Sequence, residues 1–375
     1  MTILSKITDF LNTFFSKEGI TKMLMYNNET PLLFTQLYFW IFFGIVLLIY
    51  SIIYKKNKVR NGFLFLVSLF FYYKTSGFFF LILLFSTVAD YLIGFLIHNG
   101  KSINAKKWWL SLSIFINLFV LFYFKYAYFF ADSFNQLVGS EWHPINHFAS
   151  LSNHFFSTTF RVDQILLPVG ISFFTFQTMS YSIDIYRGAV QPVKSIVDFG
   201  FYVSFFPQLV AGPIVRASNF IPQLYKTYRL TKTQFGIALF WIMNGLLKKV
   251  ILADYIALNL VDRVFENPEL FSGFENLIAL YGYSLQVYAD FSGYTDIAIG
   301  IALLLGFELP KNFDSPYKAD SCGNFWKRWH ISLSSWLKDY LYIPMGGNRG
   351  GSVFTFVSLG FVALFLFFCF LSLSL

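Results

Sequence analysis

Long apolar runs broken by short polar clusters set the rhythm of this chain. The first, from Leu32 to Tyr54, ends at a basic cluster of Lys55, Lys56, Lys58 and Arg60. As a helix rising about 1.5 Å per residue, it is long enough to cross roughly 30 Å of hydrocarbon. Two further runs, 61–73 and 77–97, are separated by Lys74 and Gly77 and lead to a second cluster, Lys101, Lys106 and Lys107. Paired as a hairpin, they keep both clusters on one side, with the short first member tilted, partly re-entrant or lengthened into the cluster. Residues 108–131 predict another crossing, and the following stretch through Arg161 reads as an external loop, holding Glu141, Trp142, His143, Asn146, His147 and His154 and almost no Lys or Arg.

The chain returns through 163–187 and then meets Pro192, Pro207, Gly212 and Pro213 inside a mainly apolar stretch. These breakers predict a re-entrant or broken helix over 199–215, because proline removes a helical donor and clashes with the preceding turn. Irregular backbone at membrane depth must be buried in protein or line a cavity, so this segment is expected to border a functional pocket. After Arg216, Lys226, Arg229 and Lys232, residues 234–253 cross outward and 273–305 return. A polar, basic stretch from Lys311 to Arg349 then precedes a last apolar run, 353–375. At the start, Ile3, Leu4, Ile7, Phe10, Leu11, Phe14 and Phe15 recur at helical spacing, which predicts an interfacial amphipathic helix over 1–20 and no cleavable signal.

The expected fold is all-α: a polytopic integral membrane protein of about eight transmembrane helices, a re-entrant helix and cytoplasmic amphipathic helices. The basic clusters lie in the cytoplasm and the N-terminus outside. No repeat or separate soluble domain is evident, so 1–375 reads as one membrane domain. Composition agrees, since 56% hydrophobic, 22% aromatic and only 13% charged residues exceed what a soluble core conceals. The net charge of +8 would suit nucleic acid, but the basic residues sit in inter-helix clusters, so the partner read from them is the lipid bilayer. Cys322 and Cys369 have neither metal-ligand nor Cys-x-x-Cys spacing, and the three loop histidines lack ligand spacing. Neither a disulfide nor a metal site is indicated.

Polar residues inside spans are costly unless paired. In the run 281–305, Ala289, Gly293, Asp296 and Gly300 form one stripe that would let a neighbouring backbone approach, with Asp296 satisfied by a partner on that neighbour. Asp290 lies on another face and needs its own partner. The densest cluster runs from Asn324 to Tyr340. Read as one helix, it gathers Trp326, Trp329, Leu333, Trp336, Leu337 and Tyr340 on an apolar face, with Lys327, Arg328, Ser335, Lys338 and Asp339 opposite and His330 at the boundary beside Ser334. This describes a helix at or just below the membrane surface, ended by Pro344, Gly346 and Gly347. Neutral imidazole at such a place can act as a general base or serve as a hydrogen-bonded structural group. Lys327, Arg328, Lys338 and Arg349 can bind donor phosphates or anionic lipid head groups.

The segments Asp290-Phe291-Ser292-Gly293-Tyr294-Thr295-Asp296, Asn312-Phe313, Pro316-Tyr317, Phe325-Trp326-Lys327-Arg328-Trp329-His330 and Tyr340-Leu341-Tyr342-Ile343-Pro344-Met345-Gly346-Gly347-Asn348-Arg349 closely resemble the membrane-bound O-acyltransferase family. Within it, the chain looks most like the alginate O-acetylation branch. Pro168-Val169-Gly170-Ile171-Ser172-Phe173 and Gln208-Leu209-Val210-Ala211-Gly212-Pro213-Ile214 extend the resemblance. It implies transfer of an acyl group, expected to be acetyl, from a cytoplasmic thioester donor, acetyl-CoA or an acyl carrier, through a central channel, for O-acetylation of an exopolysaccharide. A periplasmic or extracellular acetyltransferase partner and a cell inner-membrane location go with that branch, and no bound cofactor is implied. His330 matches one of the family's essential histidines and is the expected catalytic residue. Asp290, Asp296, Trp329, Ser334, Asp339 and Asn324 are expected to support it or line the channel. The family's second essential histidine, in a Trp-His-Gly setting about one span downstream, has no counterpart, because no histidine follows His330. The chain is therefore expected to be C-terminally truncated relative to the family. Alternative readings are D-alanyl or other acyl transfer to a cell-envelope polymer, an inactive remnant, and a transporter or flippase.

Overall fold

The computed structural model describes residues 24–27, 31–156, 161–163, 165 and 167–370, and the amphipathic helix expected over 1–20 lies outside them. No strand occurs among the described residues. The helices are α1 (Leu37–Ile53), α2 (Asn57–Ser76), α3 (Phe80–Asn99), α4 (Ile103–Val138), α5 (His147–Phe156), α6 (Ile171–Tyr186), α7 (Ile196–Ser204), α8 (Phe206–Leu209) and α9 (Ala217–Leu224). After these come α10 (Lys232–Leu246), α11 (Asp262–Glu266), α12 (Gly273–Leu304), α13 (Cys322–Arg328), α14 (Ile331–Leu337) and α15 (Gly351–Phe370). Four helical stretches among the described residues are long and apolar enough to cross a membrane: Asn57–Asn99, Ile103–Val138, Lys232–Glu266 and Gly273–Leu304. The protein is a multi-pass membrane protein.

Several boundaries differ from the sequence expectation for local reasons. The run 61–73 is lengthened backward, since α2 begins at Asn57 inside the basic cluster. Arg60 of that cluster is buried at 2% exposure and does not stand in solvent. Its guanidinium donates to the carbonyls of Leu224 at 2.6 Å and Lys226 at 3.0 Å, satisfying acceptors that the end of α9 leaves open. The return through 163–187 is helical only from Ile171, because Gly170 takes the left-handed conformation that starts α6. The stretch read as an external loop holds the last turns of α4 and the short α5. Over 199–215 the helix is indeed broken: α7 stops before Phe205 and the single turn of α8 follows with Pro207 near its start. Every residue from Phe199 to Leu209 is buried, which places the interrupted backbone inside protein.

The described residues fall into two compact units, Met1–Leu84 with Val193–Lys338, and Phe85–Pro192 with Asp339–Leu375. In the first unit α12 runs against α10. Side-chain caps start both helices: Ser272 and Glu275 form a reciprocal capping box for α12, as Thr231 and Gln234 do for α10. The expected stripe makes the crossing. A Cβ added at Gly293 would meet the Gly245 carbonyl at 2.8 Å, and one at Gly300 would meet that of Ala238 at 2.6 Å, so only glycine allows this approach. Beyond α10 the helix continues to α11 through wide turns over Leu247–Asp254 and Ala257–Val261. An aromatic core joins α7, α8, α9 and the segment after α12, with Phe220 stacked on Phe307 at 5.3 Å and Phe205 5.2 Å from Phe307.

The second unit is built around a polar core. Asp90 on α3 accepts from Asn117 at 2.6 Å and Ser182 at 3.0 Å, and also from Ser113, while Thr178 donates to Asn117 at 2.8 Å. These hydrogen bonds join α3, α4 and α6 and satisfy polar groups that lipid could not.

Candidate active site

The helix read over Asn324–Tyr340 is two helices. Trp329 is extended (φ −99°, ψ 126°) and His330 is left-handed (φ 43°, ψ 56°), so α13 ends and α14 begins afresh on either side of the histidine. The left-handed region costs an L-residue about 1–2 kcal/mol, with His among the side chains that visit it more often than most. The break corrects the helical-wheel placement. His330 is not at a polar boundary: it is buried, with 3% exposure.

The segment Asn312–Asp314 clamps the break. Ile331 donates its N–H to the Asn312 carbonyl at 2.9 Å, and Asp314 donates to the Arg328 carbonyl at 3.0 Å. The Asn312 side chain reaches the same place. Its Oδ1 lies 3.1 Å from His330 Nδ1 and accepts from the Ser332 backbone N–H at 3.2 Å and the Ser332 hydroxyl at 2.8 Å. Ser332 Oγ in turn accepts from the Ile214 N–H at 2.9 Å, which ties the irregular backbone after α8 to the histidine. Asn312 is 1% exposed, and its Nδ2 has no hydrogen-bond partner. Leaving that donor unmet costs about 1–3 kcal/mol.

An aromatic wall surrounds the imidazole. Phe291 on α12 meets the ring edge to face at 4.8 Å, Phe313 lies 5.2 Å from Phe291 and 5.1 Å from Trp329, and Phe325 stacks on Trp329 at 5.4 Å. Removal from water pushes the imidazole down from its ordinary 6.5 to about 3, against which a backbone hydrogen bond works weakly. His330 is therefore neutral at physiological pH.

The other residues singled out from sequence divide into groups. Asn324 and Arg328 brace the approach to the histidine: Arg328 donates to Asn324 Oδ1 at 3.0 Å and to the Asp314 carbonyl at 3.1 Å, and Asn324 donates to Asp320 at 2.8 Å. That bond, then one from Ser321, holds the exposed Asp320 carboxyl below the usual range. Ser334 donates to the Trp329 carbonyl at 3.3 Å. Lys327 and Lys338 are exposed. The two aspartates of α12 point at the α10–α11 stretch. Asp296 accepts from Lys248 and Asn244, both at 2.7 Å, whereas Asp290 pairs with Lys249, which also meets Asp254 at 2.8 Å. Both thus find partners on the neighbouring helix, and neither is hydrogen-bonded to His330. Asp339 and Arg349 belong to the second unit. There the Asp339 carbonyl accepts from Arg187 at 3.0 Å, Tyr340 donates to Asp184 at 2.9 Å, and Arg349 is exposed. Among the described residues, no group of three or more His, Cys, Asp or Glu side chains is placed to hold a metal ion.

Asn312, Ser332 and Phe291 complete the site although no role was assigned to them from sequence. Asn312 stands in a resembling motif, but its link to His330 spans 18 residues and arises only in the fold. A multi-pass helical membrane protein with a neutral, buried histidine set in a break between two helices is thus the class that fold and site define.

Comparison with known proteins gives the family. The family model of the membrane-bound O-acyltransferases matches residues 117–369, and the chain belongs to that family. It is 38% identical over 331 residues to a protein of Pseudomonas aeruginosa named as a probable alginate O-acetylase, covering 87% of this chain and 59% of that one. A peptidoglycan O-acetyltransferase of Helicobacter pylori is 36% identical over 348 residues, covering 84% of this chain and 62% of its own length. A teichoic acid D-alanyltransferase of Bacillus subtilis is 31% identical over 183 residues, 47% of this chain and 45% of that one. The chain spans about 59% of the length of the first of these relatives.

Proposed function

We propose that this protein transfers an acyl group, as acetyl, from a cytoplasmic thioester donor toward a hydroxyl of a polysaccharide outside the cell, with His330 as general base. The observation that carries the reading is the neutral, buried imidazole in a left-handed break, within a chain of acyltransferase ancestry. Acetyl is favoured over D-alanyl because the two O-acetyl-transferring relatives named above align over 87% and 84% of the chain, against 47% for the D-alanyltransferase. The donor in this reading is a thioester co-substrate, acetyl-CoA or an acyl carrier. The reaction balances without a further reagent. The acceptor oxygen attacks the thioester carbonyl while His330 takes its proton, the C–S bond breaks, and the proton passes to the departing thiolate. Ester and thiol are the products. A base this weakly basic receives the proton only as the new C–O bond forms. Low polarity around it strengthens every charge interaction that develops there.

In this reading the whole chain is a single acyltransferase domain in the inner membrane, crossing it about eight times, with 199–215 re-entrant and bordering the site. Trp329, Asn324 and Ser334 support the break that presents His330, and Asp290 and Asp296 support the wall that α12 gives the channel. Lys327, Arg328 and Lys338 attract the donor's phosphates, although Arg328 must share itself with Asn324 and Asp314. A periplasmic or extracellular acetyltransferase completes delivery to the polymer. His330→Gln, introduced at the native locus, is expected to lower ester-linked acetate on the secreted polymer to background, while the protein still inserts in the membrane at wild-type level. Undiminished acetate in that strain contradicts the role.

A further inference from the structure

The Asn312 side chain faces a group whose polarity is beyond doubt. The backbone N–H of Ser332 only donates, so the atom of the Asn312 amide that lies 3.2 Å from it is the oxygen. The Ser332 hydroxyl is compatible with this orientation: Oγ accepts from the Ile214 N–H, and its proton can go to the Asn312 oxygen at 2.8 Å. Turning the amide over would set its NH2 against the Ser332 N–H. The nitrogen of the imidazole that faces this oxygen, Nδ1 at 3.1 Å, must therefore carry a hydrogen.

We infer that Asn312 is a positioning residue that fixes His330 as the Nδ1–H tautomer, which puts the lone pair of the base on Nε2. The inference rests on the reading of His330 as the base. Imidazole in water prefers the opposite tautomer, with its proton on Nε2, in which the lone pair would face the Asn312 oxygen and the base would be misdirected. The relay Ile214 N–H to Ser332 Oγ–H to Asn312 Oδ1 to Nδ1–H thus links the interrupted helix after α8 to the protonation pattern of the base. Asn312 also has the burial expected of such a role, at 1% exposure, and its own backbone carbonyl anchors Ile331, immediately after the histidine. Groups that orient a histidine from behind typically alter activity by about 10- to 100-fold when removed, as second-shell partners of metal-bound histidines do.

The test is nitrogen NMR of the full chain labelled with ¹⁵N-histidine in lipid nanodiscs at neutral pH. Its five histidines make the spectrum tractable, and the His330→Gln spectrum assigns the signal by difference. His330 is expected to show a protonated Nδ1 and an unprotonated Nε2. In Asn312→Leu, which nearly conserves shape, the proton is expected to move to Nε2 in most molecules, and acyl transfer to fall about 100-fold. A wild-type signal with the proton on Nε2 overturns the inference, and that reading needs no spectrum of Asn312→Leu. Retention of the Nδ1–H signature in Asn312→Leu overturns it as well. Because the tautomer is read without turnover, its failure is distinguishable from a failure of the acyltransferase reading, which the ester assay of His330→Gln reports.

Discussion

At His330 two costs coincide, a left-handed backbone with φ of 43° and an imidazole only 3% exposed, and each has a measurable consequence. Burial holds the folded-state imidazole near 3, whereas the unfolded chain returns it to 6.5. Between those values the unfolded state binds the additional proton, so stability is complete above about pH 6.5 and falls as pH drops toward 3, by up to about 1.4 kcal/mol per unit. His330→Gln removes this dependence. Thermal unfolding followed from pH 7 to 4 in one detergent should therefore decline less steeply in the variant than in the wild type, and parallel profiles would count against a buried neutral imidazole. The histidine itself was legible in the sequence, but its setting was not. Trp326, Trp329, Leu333 and Trp336 continue a helical spacing straight across the break, and neither glycine nor proline marks it. The clamp by Asn312 and Ser332 is tertiary, so no local pattern announces it.

Among the elements, the crossing of α12 with α10 shows what a spacing pattern does convey. The stripe of Ala289, Gly293, Asp296 and Gly300 pointed to close backbone approach and to a partner for Asp296, and the structure supplies both at Gly245, Ala238, Asn244 and Lys248. The identity of the lysine was not legible, because Lys248 and Asp296 lie 48 residues apart and meet only through the helix crossing. The two acidic residues of α12 should also differ in weight. Asp296 and Lys248 have side chains 7% and 20% exposed, whereas Asp290 is 52% exposed. Asp296→Ala leaves an ammonium group largely buried without its counter-charge, and is expected to cost about 3 kcal/mol. Asp290→Ala is expected to cost under about 1 kcal/mol, since solvent screens its pair and Asp254 still faces Lys249. Unfolding midpoints of the two variants measured side by side check the order, and equal losses would contradict it.

For the molecule as a whole, apolar run length was the strongest signal, and it located the principal membrane helices because lipid admits backbone only with its hydrogen bonds met within the chain. What the runs could not show is how polar groups such as Asp90, Asn117 and Ser182 meet inside them, or that Arg60, seemingly part of a solvent-facing basic cluster, closes the end of α9. Such pairings join residues far apart in sequence and leave no periodic trace. These scales meet in the function proposed for the molecule, in which a thioester donor on the cytoplasmic side gives up its acyl group at a site where His330 is the base. The most direct measurement uses inside-out membrane vesicles from the native host, supplied externally with acetyl-CoA labelled in the acetyl group. The account predicts that label passes into ester-linked acceptor in vesicles bearing the wild-type chain and not in those bearing His330→Gln at equal protein level. Equal labelling in the two preparations would contradict it.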